Sequence, residues 1–148
     1  MELYGSMVYW ISRLATLMQE DFNSHMTHHN VTWPQYMVLN AVYFDHAKTP
    51  AQIAHHIGVD RSAITRLVDR LEAKELVERN RESVDRRSIN IILTRKGRAM
   101  MPKLIEDSIA HQQHYLDYLP AEERDRFKQG LKILLKAAGQ DPSRDWIE

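Results

Sequence analysis

The chain has 148 residues, 43% of them apolar, with 20 Lys and Arg balanced by 20 Asp and Glu. That suits one domain, or a small domain with helical extensions, and bulk charge names no partner. No apolar run approaches the ~20 residues of a membrane span, and the start lacks a basic-then-apolar secretion pattern. The absence of cysteine removes disulfides, thiolate zinc sites and thiol redox sensing from this chain, so a cytoplasmic protein without a membrane partner is the expectation.

Leu3 to about Met26 reads as a helix, with Met7, Ile11, Leu14, Met18 and Phe22 at three- and four-residue steps. The run HMTHHN then breaks the pattern. Thr32 starts a second helix: Thr32 and Gln35 have capping-box spacing, and Pro34 falls in the first turn, where its missing N–H does no harm. Its apolar positions are Met37, Val38, Ala41 and Val42, with Phe44 a further candidate. Thr49, Pro50 and Gln52 repeat the same start signal, Ile53, Ala54 and Ile57 face inward, and Gly58 ends the helix as a left-handed residue would. Only Gly58, Val59 and Asp60 precede the next helix, for which Asp60 is the expected N-cap. Two helices joined by a three-residue turn containing glycine is the helix-turn-helix pattern.

In the following helix, 61–74, Ala63, Ile64, Leu67, Val68 and Leu71 share one face. The other face holds Ser62, Thr65, Arg66 and Asp69, flanked by Arg61 and Arg70. A solvated face carries long Glu–Lys pairs; this one mixes short hydroxyls with arginine. Short polar groups permit close approach to a major groove, and Arg pairs with guanine O6 and N7 in bidentate fashion.

Leu76–Asn80 and Ser88–Leu93 read as two strands, the second alternating Ile89 and Ile91 with Ser88 and Asn90. The charged segment between them contains Arg81, Asp85, Arg86 and Arg87. A hairpin directly after a recognition helix is a wing, and its arginines can enter a narrow minor groove. From Arg61 to Lys103 there are 12 basic and 6 acidic residues, leaving 8 basic and 14 acidic elsewhere. A basic segment on an acidic body is the footprint of a nucleic-acid binder.

Thr94 can cap a fifth helix, 95–119, with a kink expected at Pro102. Pro120 opens a sixth, whose stripe is Phe127, Leu131, Leu134, Leu135 and Ala138. The first, fifth and sixth helices are too long and apolar for a lone winged-helix core to cover. The expected fold is therefore mainly α with a small β-wing: a winged helix-turn-helix lobe at about 32–97, and helices at 1–31 and 98–148 that pair two chains.

The run from Thr49 to Gly97 resembles the DNA-binding lobe of MarR-family transcriptional regulators, most specifically in GVDRSAITRLVDRLE, the DRR of the wing and the closing LTRKG. The order of six helices and one wing is similar over nearly the whole chain. The resemblance implies an obligate homodimer with intertwined terminal helices, a pseudo-palindromic operator, and usually repression relieved by a small anionic or phenolic ligand. It implies recognition-helix contacts from Arg61, Ser62, Thr65 and Arg66, an orienting carboxylate at Asp85 and a minor-groove arginine at Arg87. It also places an effector near the start of the second helix, where Trp33 and Tyr36, with Tyr9, Trp10 and Arg13 of the first helix, could stack on and pair with an aromatic acid; interface core is the competing role for these residues. One departure is Glu75, where the family usually has a glycine suited to a left-handed helix end.

Eight histidines require an account. His25, His28 and His29 cluster after the first helix, and His111 and His114 lie three apart on the fifth. Such spacings can hold zinc, but exposed or interfacial histidines are the preferred reading, and no cofactor is expected. His55 and His56 are expected to face solvent or phosphates. The alternatives to a ligand-responsive regulator are a metal-responsive regulator with the same DNA chemistry and a winged-helix protein-interaction module. No nucleophile, base and orienting group form a recognisable catalytic set, so an enzyme is not expected.

Overall fold

The computed structural model describes residues 2–81, 89–140 and Pro142. Its helices are α1 (Met7–His25), α2 (Trp33–Tyr43), α3 (Pro50–Ile57), α4 (Arg61–Ala73), α5 (Arg95–Leu116) and α6 (Ala121–Ala137), and its two strands are β1 (Val77–Asn80) and β2 (Asn90–Leu93). The expected mainly helical fold with a two-stranded wing is what forms. The chain makes two compact units, 1–108 and 109–148.

Helix boundaries follow their local chemistry. The Thr32 and Thr49 capping boxes both close, each hydroxyl accepting from the glutamine N–H three residues on while the glutamine side chain reaches back. Gly58 ends α3 in the left-handed conformation. Two expectations change. The first helix begins at Met7 and not Leu3: Leu3–Gly5 forms a separate 3-10 turn, and Ser6 caps α1 by accepting from the Tyr9 N–H. Asp60 stands at the N-cap of α4 with extended backbone, but its carboxylate makes no capping hydrogen bond.

The core of the first unit is Phe22 and Met26 of α1, Val38 and Leu39 of α2, Ile53 of α3, Ile64, Val68 and Leu71 of α4, Val77 and Ile91 of the strands, and Met101 and Leu104 of α5. β1 and β2 pair antiparallel, Val77 opposite Leu93 and Asn80 opposite Asn90. The Ile91 N–H also donates to the Lys48 carbonyl, which ties the wing base to the segment before α3. At the junction of wing and helix, Thr94 donates to the Glu75 carbonyl and accepts from the Gly97 N–H, capping α5 as anticipated. A Cβ on Gly97 would overlap the Leu76 carbonyl oxygen, so the close passage of α5 over the start of β1 requires glycine.

In the second unit, Arg124 of α6 donates through Nε to the carbonyls of Leu116 and Leu119, closing the turn between the last two helices. Phe127, Leu131 and Leu134 are exposed on α6.

Candidate nucleic-acid interface

α4 buries Ile64, Val68 and Leu71 and exposes Arg61, Ser62, Thr65, Arg66, Asp69 and Arg70, the division its periodicity implies. The Thr65 hydroxyl bonds weakly to the Arg61 carbonyl, at 3.4 Å, and so keeps its outward position on the first turns. Arg61, Arg66 and Arg70 form no salt bridge with another described residue. The carboxylates of the same helix are spoken for: Arg79 of β1 reaches Asp69 at 2.6 Å and Glu72 at 3.1 Å. The partial burial of Arg79 opposes its charge, but hydrogen bonding to Asp69 and the nearby Glu72 carboxylate outweigh this and raise its pKa. The pairing was not legible in the sequence, although Asp69 was placed on the outer face, because it joins strand to helix across non-periodic spacings of ten and seven residues.

Arg81 is exposed where β1 ends. The expected wing residues Asp85, Arg86 and Arg87 lie outside the described residues.

The C-terminal end of α4 is secured from two sides. Lys74 donates to the Asn30 carbonyl at 2.6 Å and to the buried Gln35 side chain at 2.7 Å. Its pKa is lowered, first by burial and then by the neighbouring charge of Arg70. Lys96 donates to the Lys74 carbonyl. Glu75, the departure noted in the sequence, sits at φ +60°. Its N–H bonds to the Glu72 carbonyl and the Leu76 N–H to the Leu71 carbonyl, the paired bonds of a Schellman ending.

The aromatic candidates fall into two groups. Trp33 and Tyr36 gather around Phe22, with ring centroids 5.1 and 5.4 Å from it, and Tyr36 is buried while its hydroxyl accepts from Asn40. Tyr9 and Trp10 pack with Tyr4 at the start of α1, where the Trp10 indole donates to the Tyr4 carbonyl. Thirteen helical residues, roughly 20 Å of rise, separate Tyr9 from Phe22. Within one chain Tyr9 and Trp10 therefore lie apart from the group formed by Trp33 and Tyr36.

The histidines also divide. His25 bonds to the carbonyl of Asp21, one turn before it. His28 and His29 converge on Asp107 of α5, their Nε2 atoms 3.2 and 2.7 Å from one carboxylate oxygen. Lys103 holds the other oxygen at 3.1 Å. Hydrogen bonds from His29 and then Lys103, with a lesser one from His28, hold Asp107 down at about 2 against the opposing effect of desolvation. Asp107 was not singled out in the sequence, 78 residues from His29; its i,i+4 relation to Lys103 was the only local signal. His111 and His114 pack edge-on against Tyr115, and His114 also against Tyr118. His55 and His56 are exposed, and His56 stacks on His46.

A helix-turn-helix whose second helix exposes hydroxyls and arginines, followed at once by a two-stranded wing, defines the winged helix-turn-helix class. Residues 29–88 match the model of the MarR family. The chain is 32% identical over 103 residues to the HTH-type transcriptional regulator TtmR of Methylorubrum extorquens, a match covering 70% of this chain and 52% of that protein, so the chain spans about half the length of that relative. The transcriptional repressor CouR, solved on a 23-mer DNA duplex, superposes with a TM-score of 0.79 at 28% identity, over 93% of this chain and 95% of CouR. Wild-type MarR of E. coli in its apo form gives 0.75 at 26%, over 88% and 97%. The chain belongs to the MarR family of winged helix-turn-helix transcriptional regulators, a family of regulators and not of enzymes.

Proposed function

We propose that the protein binds a pseudo-palindromic operator as a homodimer and represses transcription until a small aromatic or anionic ligand releases it. The observation that carries the DNA-binding part is the charge arrangement on α4. Arg61, Arg66 and Arg70 are exposed without salt-bridge partners among the described residues, while Asp69 and Glu72, which would repel phosphates, are engaged by Arg79. A surface that served only to be solvated would have paired those arginines with the carboxylates of their own helix. Ser62, Thr65 and Arg66 read base edges in the major groove, and Arg70 and Arg81 contact phosphates. Asp85, Arg86 and Arg87 serve the wing, with Asp85 orienting Arg87 into the minor groove.

Homodimerisation is supported by the apolar faces of the outer helices. α1 exposes Met7, Val8, Ile11 and Leu14, and α6 exposes Phe127, Leu131, Ile133 and Leu134. Exposed large apolar residues recurring along each of these helices suit an interface. A twofold axis then sets the two α4 helices about 34–36 Å apart, one duplex turn, to enter successive major grooves.

Ligand response is supported by the path from the aromatic group to α4. Trp33 and Tyr36 lie on the first turns of α2, and Gln35 between them accepts from Lys74 at the end of α4. A ligand beside Trp33 would shift that attachment, and would weaken DNA binding only by as much as it prefers the shifted state. Tyr9, Trp10 and Arg13 would join such a site only from a second copy's α1.

Selection of bound fragments from a random duplex pool tests the reading. An enriched inverted repeat with half-sites about 10–10.5 base pairs apart is expected, and Thr65→Ala and Arg66→Ala should relax the preferred bases. Retention of random and selected DNA with equal strength by the folded protein would overturn it. Titrating the selected duplex against benzoates and phenols then examines release, with Trp33→Ala expected to blunt the response while leaving ligand-free DNA binding nearly intact.

A further inference from the structure

We propose that His28, His29 and Asp107 form a divalent-metal site of the zinc class, with the two Nε2 atoms and one carboxylate oxygen as protein ligands and solvent completing the shell. The proposal stands on geometry within the first unit and does not depend on the DNA-binding reading. Two consecutive histidines of the 3-10 turn Thr27–His29 turn their rings side by side, centroids 4.0 Å apart, and aim both Nε2 atoms at the same oxygen of a residue 78 positions away. The three candidate donor atoms all lie within 4.8 Å of one another.

Tetrahedral zinc with bonds of about 2.0–2.2 Å separates its ligand atoms by roughly 3.3–3.5 Å. The observed N···O distances of 3.2 and 2.7 Å need to open, the first by roughly 0.1–0.3 Å and the second by roughly 0.6–0.8 Å to reach that separation, which side-chain rotation supplies. Two imidazoles with one carboxylate suit zinc, cobalt or nickel, and disfavour calcium and magnesium, which take oxygen-rich shells. The site is both held and open. The His29 side chain is 12% exposed and that of Asp107 22%, whereas that of His28 is 61% exposed and leaves an approach from solvent. Lys103 bonds to the other carboxylate oxygen, orienting the ligand as an outer-shell partner does. Its positive charge opposes the cation and favours moderate over extreme affinity. An ion here would clip the segment before α2 to α5, and so stabilise the folded chain by mass action.

The test uses the full chain, stripped with a chelator and titrated with zinc in competition with a chromophoric indicator, then with cobalt to read its visible d–d absorption. One ion per chain is expected, with a rise in melting temperature. Asp107→Asn, which keeps a hydrogen-bond acceptor, and His29→Gln should each weaken binding by about tenfold or more, at least the loss seen when an outer-shell partner is removed. His114→Gln should change neither readout. Circular dichroism confirms that each variant is folded. Absence of stoichiometric binding in the wild type, or affinities unchanged in both Asp107→Asn and His29→Gln, would overturn the site.

Discussion

Glu75 holds a backbone conformation that costs an L residue about 1 kcal/mol or more, because its Cβ crowds the following carbonyl. The conformation persists at φ +60° because the Schellman bonds and the Thr94 hydroxyl over-determine it. Glu75→Gly removes the crowding but loosens the unfolded chain. A net gain of about 0.5–1 kcal/mol is expected, checked by the midpoint of denaturant unfolding. Gly97 presents the opposite case: its missing side chain admits the Leu76 carbonyl. Gly97→Ala should destabilise by about 3 kcal/mol, the upper part of the usual overpacking range, in the same measurement. Asp107 makes a residue-scale prediction about pH. Its folded pKa of about 2 lies below the ordinary 3.8, so its contribution is fully present above 3.8 and fades as pH falls towards 2. The stability difference between wild type and Asp107→Asn should therefore narrow over that window in acid unfolding curves.

At the scale of elements, the strand contributes to the recognition helix as well as to the wing. Arg79 is fixed by its place on β1, opposite the buried Ile91, and from there it covers two carboxylates of α4. Because Asp69 is 60% exposed, the bridge itself adds little to stability, within about 1 kcal/mol. Its larger effect is on the field in front of α4. Arg79→Ala would remove one positive charge and leave both carboxylates to repel phosphates, on the order of 1 kcal/mol in partly shielded surroundings. We expect a loss of about fivefold in DNA affinity at low salt, diminishing as salt is raised, with unfolding almost unchanged. Fluorescence anisotropy across a salt series would detect it.

At the scale of the molecule, α1 and α6 each leave large apolar residues exposed. Leu14 remains 47% exposed and Ile11 52% exposed, although their spacing continues the stripe that carries Phe22 into the core. Pairing of two chains, as proposed, would account for that continuity. Leu14→Arg should shift sedimentation at micromolar concentration from about twice the 17.4 kDa chain mass towards a single mass. DNA affinity should fall with it, since two half-sites would no longer be held together. A wild type that sediments at one chain mass while folded would remove the dimer.

Local chemistry made much of the molecule legible from the chain alone. The capping boxes at Thr32 and Thr49, the left-handed Gly58 and the inward face of α4 all follow from interactions spanning three or four residues. The exposure of Arg61, Ser62, Thr65 and Arg66 follows from the same periodicity. What the tertiary structure decided lies in contacts between distant positions. Arg79 covers Asp69 and Glu72, Lys74 ties α4 to Gln35, and Asp107 gathers His28 and His29. It also set Tyr9 and Trp10 apart from Trp33 and Tyr36 within one chain, residues that the family resemblance had grouped. A rigid helix sets how far apart its own residues must lie. Which distant side chains meet depends on how the helices pack, and no short-range pattern in the chain encodes that.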